Sequence, residues 1–147
     1  GFPCSGKSTR AREIAAIFQA NGRKAVIINN ETLGIDRNTT YKTSQAEKNA
    51  RASLKAAVER ELNKEAVLIA DDLNYIKGYR YELFCIARAM GTTCSTVHVD
   101  ASLDQIRNFN AAASSGDGAG SSGCGYDEDI LEELPSRFER SNDRNRW

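Results

Sequence analysis

Short apolar runs alternate along this chain with segments in which apolar residues recur at helical spacing. The apolar runs are residues 24–28, 66–70 and 94–99, and each predicts a buried β-strand. Helices are predicted up to Asn21-Gly22, from Ser44, from Tyr79 to Met90, from Ser102 to about Ala113, and from Asp127 to Leu134. Strands that alternate with helices indicate βαβ units, so we expect an α/β fold with a parallel sheet flanked by helices.

Local signals refine where the helices and loops should lie. Ser44 with Glu47, and Ser102 with Gln105, match the capping box that starts a helix. The Gly/Ser-rich stretch 114–125 predicts a flexible loop.

Composition narrows the class of protein. The 147 residues have zero formal net charge and include 27% charged and 40% apolar residues, which is typical of one soluble globular domain. No apolar run approaches the roughly 18 residues that span a bilayer, and the start does not resemble a secretory signal. We therefore expect a monomer with no membrane association and a cytoplasmic or nuclear location. The four cysteines form no C-x-x-C pair, and the single histidine, His98, is expected in the core of the third strand, so a zinc site is not expected.

The first eight residues match the P-loop pattern G-x-x-x-x-G-K-[ST] at every fixed position. Glycines let the backbone wrap around phosphate oxygens, and the helix that follows presents its positive end to the same anion. Lys7 should bridge the β- and γ-phosphates, and the Ser8 hydroxyl should bind Mg²⁺. The alternative is a glycine-rich turn before an ordinary helix. The residues expected to bind nucleotide are Pro3, Cys4, Ser5, Gly6, Lys7, Ser8 and Thr9.

Acidic residues follow two of the predicted strands. Asp71 and Asp72 come after the strand 66–70, where a P-loop protein holds Mg²⁺. We assign Asp71 to the metal and Asp72 to a base or a supporting role, although turn-forming aspartates are common at such positions. Glu31 follows the strand 24–28 and is a candidate to activate the attacking hydroxyl or water, or else an ordinary loop carboxylate.

Basic residues supply two further hypotheses. Arg107 lies on the helix where P-loop kinases carry a lid, and a lid arginine neutralises charge on the transferred phosphoryl group. An exposed ion pair is an equally good interpretation of Arg107, and the C-terminal arginines could serve instead. The run 74–81 mixes aromatic and basic residues, so Lys77 and Arg80 are candidate phosphate contacts for RNA.

These motifs together resemble the Elongator-associated killer-toxin-insensitivity protein family, which is related to the seryl-tRNA(Sec) kinase. The likeness covers nearly the whole chain, and its most specific part is the Asn-Tyr-Ile-Lys-Gly-Tyr-Arg-Tyr run at 74–81. Members of this family are ATPases that bind tRNA and support the modification of wobble uridines by Elongator. The resemblance implies ATP rather than GTP and assigns Lys7 and Ser8 to phosphate and Mg²⁺, and Asp71 to the metal. Two positions depart from the family pattern, since Asn30 replaces an acidic residue and Phe109-Asn110 replaces a Trp-Asn pair that an arginine follows.

The sequence thus predicts a P-loop ATPase domain over residues 1–147, stimulated by tRNA and acting with Elongator. A P-loop normally follows a buried strand, so we expect a fragment that lacks its first strand and a C-terminal tRNA-binding domain. One alternative is a kinase that transfers the γ-phosphate to a hydroxyl of an aminoacyl-tRNA or a small metabolite. Another is a nucleotide-gated binding module without turnover.

Overall fold

Two parallel strands form the sheet in the part of the chain that the structure describes. The structure is a computed structural model, and it describes residues 1–115, 125–142, 144, 145 and 147. Strand β1 (Lys24–Asn29) pairs with β2 (Ala66–Asp71), so that Asn29 lies opposite Asp71 where both strands end. The register therefore brings the residues that follow both strands to one edge of the sheet.

Six helices connect and cover these strands within the described residues. Their bounds are α1 (Lys7–Ala20), α2 (Arg37–Tyr41), α3 (Ser44–Glu61), α4 (Lys77–Ala89), α5 (Leu103–Ser115) and α6 (Glu128–Ser136). The short helix α2 was not predicted, although Asp36 provides the signal for it, because its carboxylate accepts the Thr39 amide at 2.7 Å as an N-cap. None of the described helices combines the length and apolar character that crossing a lipid bilayer requires.

Two apolar clusters hold the fold together. The first joins the sheet to α3 and α4, with Ile28, Leu54, Val58 and Tyr79 buried at its centre. The second lies beside the predicted P-loop and brings together residues from α2, α5, α6 and the segment after β2. Its buried members are Tyr41, Leu73, Tyr75, Ile106, Tyr126, Ile130, Leu131 and Leu134. The second cluster therefore supports the elements that surround the predicted site.

The predicted third strand is wrong as a strand in this structure. Residues 94–99 have no regular secondary structure, Val97 is 60% exposed, and His98 is exposed rather than in the core. A strand needs a neighbour to share its backbone hydrogen bonds, and residues 94–99 pair with neither β1 nor β2 in the described sheet. The carbonyl of Val99 instead lies against Gly1, where a Cβ atom would approach it to 2.0 Å.

The two predicted capping boxes have different outcomes. Ser102 and Gln105 form theirs, since each side chain accepts the other's backbone amide. The box at Ser44 does not form, because Thr43 caps α3 and Glu47 turns inward to other partners. Most of the predicted loop 114–125, residues 116–124, lies outside the described residues.

Candidate functional site

The segment before α1 folds as a loop whose backbone only certain residues tolerate. Gly6 has a φ of 88° and immediately precedes the helix, and Cys4 has a φ of 50°. No side chain caps this helix, and its first backbone hydrogen bond joins the Arg10 amide to the Gly6 carbonyl at 3.0 Å. The amides at the start of α1 therefore lack intrahelical partners and, with the helix dipole, favour an anion in the loop.

The other predicted loop residues occupy distinct places around this anion cradle. Pro3 and Ser5 are buried, Cys4 is half-buried, and Ser8 and Thr9 are exposed on the first turn of α1. The Ser5 hydroxyl oxygen is buried without a hydrogen-bond partner. An unpaired buried hydroxyl costs free energy, so the cradle has a polar group to offer a ligand.

Lys7 lies at the centre of this arrangement and is half-buried. Its ammonium donates to the Phe2 carbonyl. Burial lowers the pKa of Lys7 to about 8, and the negative charges of Asp72 and Asp71 oppose that effect. The structure therefore brings the P-loop lysine into electrostatic contact with both predicted carboxylates.

Asp71 and Asp72 have different surroundings although they are adjacent. Asp71 ends β2 with 9% of its surface exposed, and its Oδ2 is buried without a hydrogen-bond partner. Burial raises the pKa of Asp72, while the Leu73 amide and the Lys7 charge oppose that rise. The Tyr41 hydroxyl also donates to Asp72 Oδ1 at 3.3 Å. Asp71 thus has a free oxygen suited to a cation, and Asp72 has features suited to accepting a proton.

Glu31 and Arg107 lie at the surface. The Glu31 side chain is 60% exposed and pairs with Arg37 at 3.5 Å. The Arg107 side chain is 61% exposed, and its guanidinium lies 3.9 Å from Asp104 and 3.8 Å from Glu132. The described contacts of Arg107 therefore join α5 to α6, and its role in phosphoryl transfer stays a prediction.

The candidate C-terminal arginines are only partly covered by the structure. Arg137 pairs with Glu47 at 3.1 Å and also with Glu133. Arg144 is exposed, and Arg146 lies outside the described residues.

The two predicted RNA contacts separate in the structure. Lys77 is exposed at the first position of α4, which leaves its side chain accessible to a polyanion. Arg80 is only 6% exposed, and its guanidinium donates to the carbonyls of Asn74 at 2.8 Å and Glu139 at 2.9 Å. The predicted RNA contact of Arg80 therefore disagrees with the structure, because its buried guanidinium binds backbone carbonyls and fixes the segment after β2.

The structure also brings residues to the loop that the sequence patterns did not select. Arg37, at the start of α2, lies with its guanidinium carbon 5.3 Å from the centre of the Tyr126 ring. Asn110 hydrogen-bonds both Tyr126 and the loop residue Cys4. Neither contact has a periodic signal, since the partners are far apart in sequence.

An open cavity of about 530 Å³ lies on the Tyr41 side of the site. Its walls include Tyr41, Glu47, Arg51 and Tyr75. A much narrower cavity shares these four residues and extends to Asp72. Asp72 lines the narrower cavity, whereas Tyr41, which donates to Asp72 Oδ1, lines both cavities.

Comparisons with known proteins identify the family of the chain. A family model described as "Chromatin associated protein KTI12" matches residues 1–147. The chain is 45% identical over 147 residues to the Protein KTI12 homolog of Xenopus laevis, covering all of this chain and 51% of that protein. It is 38% identical over 156 residues to Protein kti12 of Schizosaccharomyces pombe, covering all of this chain and 52% of that protein. The chain thus spans about half the length of these curated relatives.

A solved structure extends the comparison to the fold. The crystal structure of Chaetomium thermophilum Kti12 in complex with ADP-AlF3 matches with a TM-score of 0.88 at 35% identity. The match covers all of this chain and 81% of that one. The predicted α/β fold of the P-loop NTPase type, with its parallel sheet flanked by helices, is therefore confirmed.

Proposed function

The chain belongs to the KTI12 family, and from that premise we propose that it binds ATP with Mg²⁺ at the loop before α1 and hydrolyses the γ-phosphate. One observation carries the proposal: α1 begins at Lys7 without a side-chain cap, and the negative charges of Asp72 and Asp71 act on the Lys7 ammonium. Such a cradle favours a polyphosphate, and the neighbouring acidic pair favours a divalent cation. The similar Kti12 crystal structure, which contains ADP-AlF3, supports the choice of nucleotide.

The residues present fit Mg²⁺. Magnesium commonly uses one or two protein oxygens together with phosphates and waters, and the buried Asp71 Oδ2 has no other described partner. Asp71 and Ser8 would hold the ion, which neutralises charge on the β- and γ-phosphate oxygens when it is bound.

Other residues of the chain bind the phosphates and activate the attacking water. Lys7 binds the terminal phosphates through its ammonium, and the backbone amides of residues 4–9 hold the β-phosphate. Asp72 orients the attacking water and takes its proton, since burial already raises the pKa of this carboxyl. Glu31 is the alternative base, with an exposed side chain beyond the end of β1.

The biological part of the proposal is that tRNA stimulates this hydrolysis and that the activity serves Elongator in wobble-uridine modification. It rests on the family resemblance and on the exposed Lys77 as a candidate RNA contact. The family is described as chromatin-associated, which agrees with a nuclear location, one of the two locations that the sequence predicts.

A phosphate-release assay on the full-length protein, with and without tRNA, tests this function. We expect Mg²⁺-dependent release that tRNA increases, and we expect Lys7→Ala to abolish it while the circular dichroism spectrum stays unchanged. Lys48→Ala is the matched control, because it removes an exposed ammonium from α3. Wild-type turnover by Lys7→Ala would refute the P-loop assignment. Tight ATP binding without turnover, even with tRNA, would instead favour a nucleotide-gated binding module.

The cavity of about 530 Å³ favours a second candidate function, transfer of the γ-phosphate to a hydroxyl of an aminoacyl-tRNA or a metabolite. A substrate hydroxyl in the cavity beside Tyr41 would compete with water for activation by Asp72. Labelled γ-phosphate distinguishes the two candidates, since a kinase moves the label to an acceptor and an ATPase releases it as inorganic phosphate.

A further inference from the structure

Arg37, on α2, and Tyr126, in the segment before α6, form a cation–aromatic pair. The guanidinium carbon of Arg37 lies 5.3 Å from the Tyr126 ring centre, and the arginine side chain is 24% exposed. Its guanidinium also lies 3.5 Å from the exposed carboxylate of Glu31. A partly buried guanidinium on an aromatic face keeps its charge and loses much of its freedom to move.

Asn110 fixes the position of Tyr126 relative to the phosphate loop. Its side-chain oxygen accepts the Tyr126 amide at 2.7 Å, and its side-chain nitrogen donates to the Tyr126 carbonyl at 3.0 Å. The same oxygen also accepts the Cys4 thiol at 3.3 Å. One amide group on α5 thus joins the residue under Arg37 to a residue of the P-loop.

A second asparagine, on α2, bonds the residues that flank Tyr126. Asn38, next to Arg37 on α2, donates to the Gly125 carbonyl at 3.1 Å and accepts the Asp127 amide at 3.0 Å. These hydrogen bonds fix the backbone on both sides of Tyr126, so the aromatic ring has a defined position against the guanidinium.

The charge of Arg37 is close enough to Cys4 and Lys7 to influence the pKa values of both side chains. Burial raises the pKa of the Cys4 thiol, and the positive charges of Lys7 and Arg37 oppose that rise. Burial lowers the pKa of Lys7, and Arg37 adds a smaller effect in the same direction. Two cations thus act on the loop, an arrangement that repels a third cation and attracts a polyanion.

The other arginines considered for this role have described partners elsewhere. Arg107 faces carboxylates of α5 and α6, Arg137 pairs with Glu47 and Glu133, and Arg80 is buried against two carbonyls. Arg37 pairs with Glu31 and lies over the Tyr126 ring, and Asn110 links the Tyr126 backbone to Cys4 of the predicted phosphate site.

We infer that Arg37 contacts the terminal phosphoryl group and neutralises the charge that develops on it, with Tyr126 and Asn110 as positioning residues. This inference rests on the proposed function, because it assigns a further catalytic residue to that reaction. On nucleotide binding, the guanidinium exchanges the exposed Glu31 carboxylate for phosphate oxygens and keeps its contact with the aromatic ring. Preorganised donors aimed at developing charge stabilise the transition state more than the ground state.

The experiment compares turnover with the affinities for ADP and for ADP with aluminium fluoride, in the full-length protein with tRNA. We expect Arg37→Ala to lower kcat by about a thousandfold or more, which is the range for arginines that serve phosphoryl transfer. Its affinity for ADP with aluminium fluoride should fall at least about tenfold, while its affinity for ADP stays within about twofold. Arg60→Ala is the matched control, since it removes an exposed arginine that pairs only with the neighbouring Glu61 among the described ion pairs.

Variants of the positioning residues separate this role from a structural one. Tyr126→Phe keeps the aromatic face and should retain kcat, whereas Tyr126→Leu removes it and should lower kcat about tenfold with KM unchanged. Asn110→Ala should behave like Tyr126→Leu, and Asn108→Ala, on the exposed face of α5, is its control.

The outcomes distinguish this inference from the proposed function. If the wild-type protein has no turnover, the proposed function fails. If the wild type is active and Arg37→Ala matches it, or loses affinity for both ligands equally, the role of Arg37 is overturned. If Arg37→Ala does not fold, then Arg37→Lys and the Tyr126 pair decide the question, and equal kcat in Tyr126→Phe and Tyr126→Leu overturns the positioning role.

Discussion

The half-buried side chain of Lys7 should make the stability of the ligand-free protein sensitive to pH in the alkaline range. Burial is the main cause that lowers its pKa from 10.5 to about 8. Above pH 8 the folded protein therefore releases a proton that the unfolded chain keeps until about pH 10.5. Because the unfolded state binds more protons in this window, the contribution of Lys7 to the free energy of unfolding rises with pH.

The size of this effect follows from the same two pKa values. Multiplying 2.303RT by the difference between 10.5 and about 8 gives roughly 3 kcal/mol. The stability of the wild type, measured relative to Lys7→Met, should therefore increase by roughly 3 kcal/mol between pH 7.5 and pH 10.5. Taking the difference between the two proteins cancels the titration of other groups that behave alike in both.

Urea unfolding of the nucleotide-free proteins at several pH values measures this difference. Lys48→Met removes an exposed ammonium from α3 and gives the baseline for such a substitution. A wild-type minus Lys7→Met difference that stays constant with pH would show that Lys7 is well solvated, and it would remove the electrostatic basis of the cradle.

Three further predictions follow from burial and contacts. Leu54→Ala should lower the free energy of unfolding by about 2–5 kcal/mol, because this side chain is 0% exposed in the core between the sheet and α3; a loss below about 1 kcal/mol by urea unfolding would contradict the packing. Asp71→Asn should raise the Mg²⁺ concentration for half-maximal phosphate release by about tenfold or more, since a charge-assisted contact is worth on the order of 1.5–3 kcal/mol; if Asp72→Asn does so instead, the assignment of the two carboxylates is reversed. Arg80→Ala should lower the melting temperature and reduce basal and tRNA-stimulated turnover together, whereas Lys77→Ala should leave the melting temperature unchanged and reduce mainly the stimulated rate; the opposite pattern would restore Arg80 as an RNA contact.

The sequence predicts well whatever depends on neighbours along the chain. The P-loop pattern located the loop before α1, and the apolar runs located β1 and β2 to within one residue. The Ser102–Gln105 capping box formed because both partners lie within one helical turn.

Long-range contacts account for what the sequence did not predict. Thr43 and Ser44 are both acceptable caps, and Glu47 was drawn inward by Tyr75 and Arg137, which lie 28 and 90 residues away. The pattern around Arg80 predicts a surface cation, but its guanidinium donates to the carbonyl of Glu139, which lies 59 residues away in sequence. A strand at 94–99 depends on a neighbouring strand, which no local pattern supplies.

The carboxylate of Glu47 meets Tyr75, Arg51 and Arg137, which come from three separate stretches of the chain. Because one buried carboxylate bonds all three stretches, we expect them to unfold locally as one cooperative unit. Substitutions at residue 137, far along the chain from Asp71 and Asp72, should therefore disturb the loop that leaves β2, and amide hydrogen exchange should report both places opening as one unit.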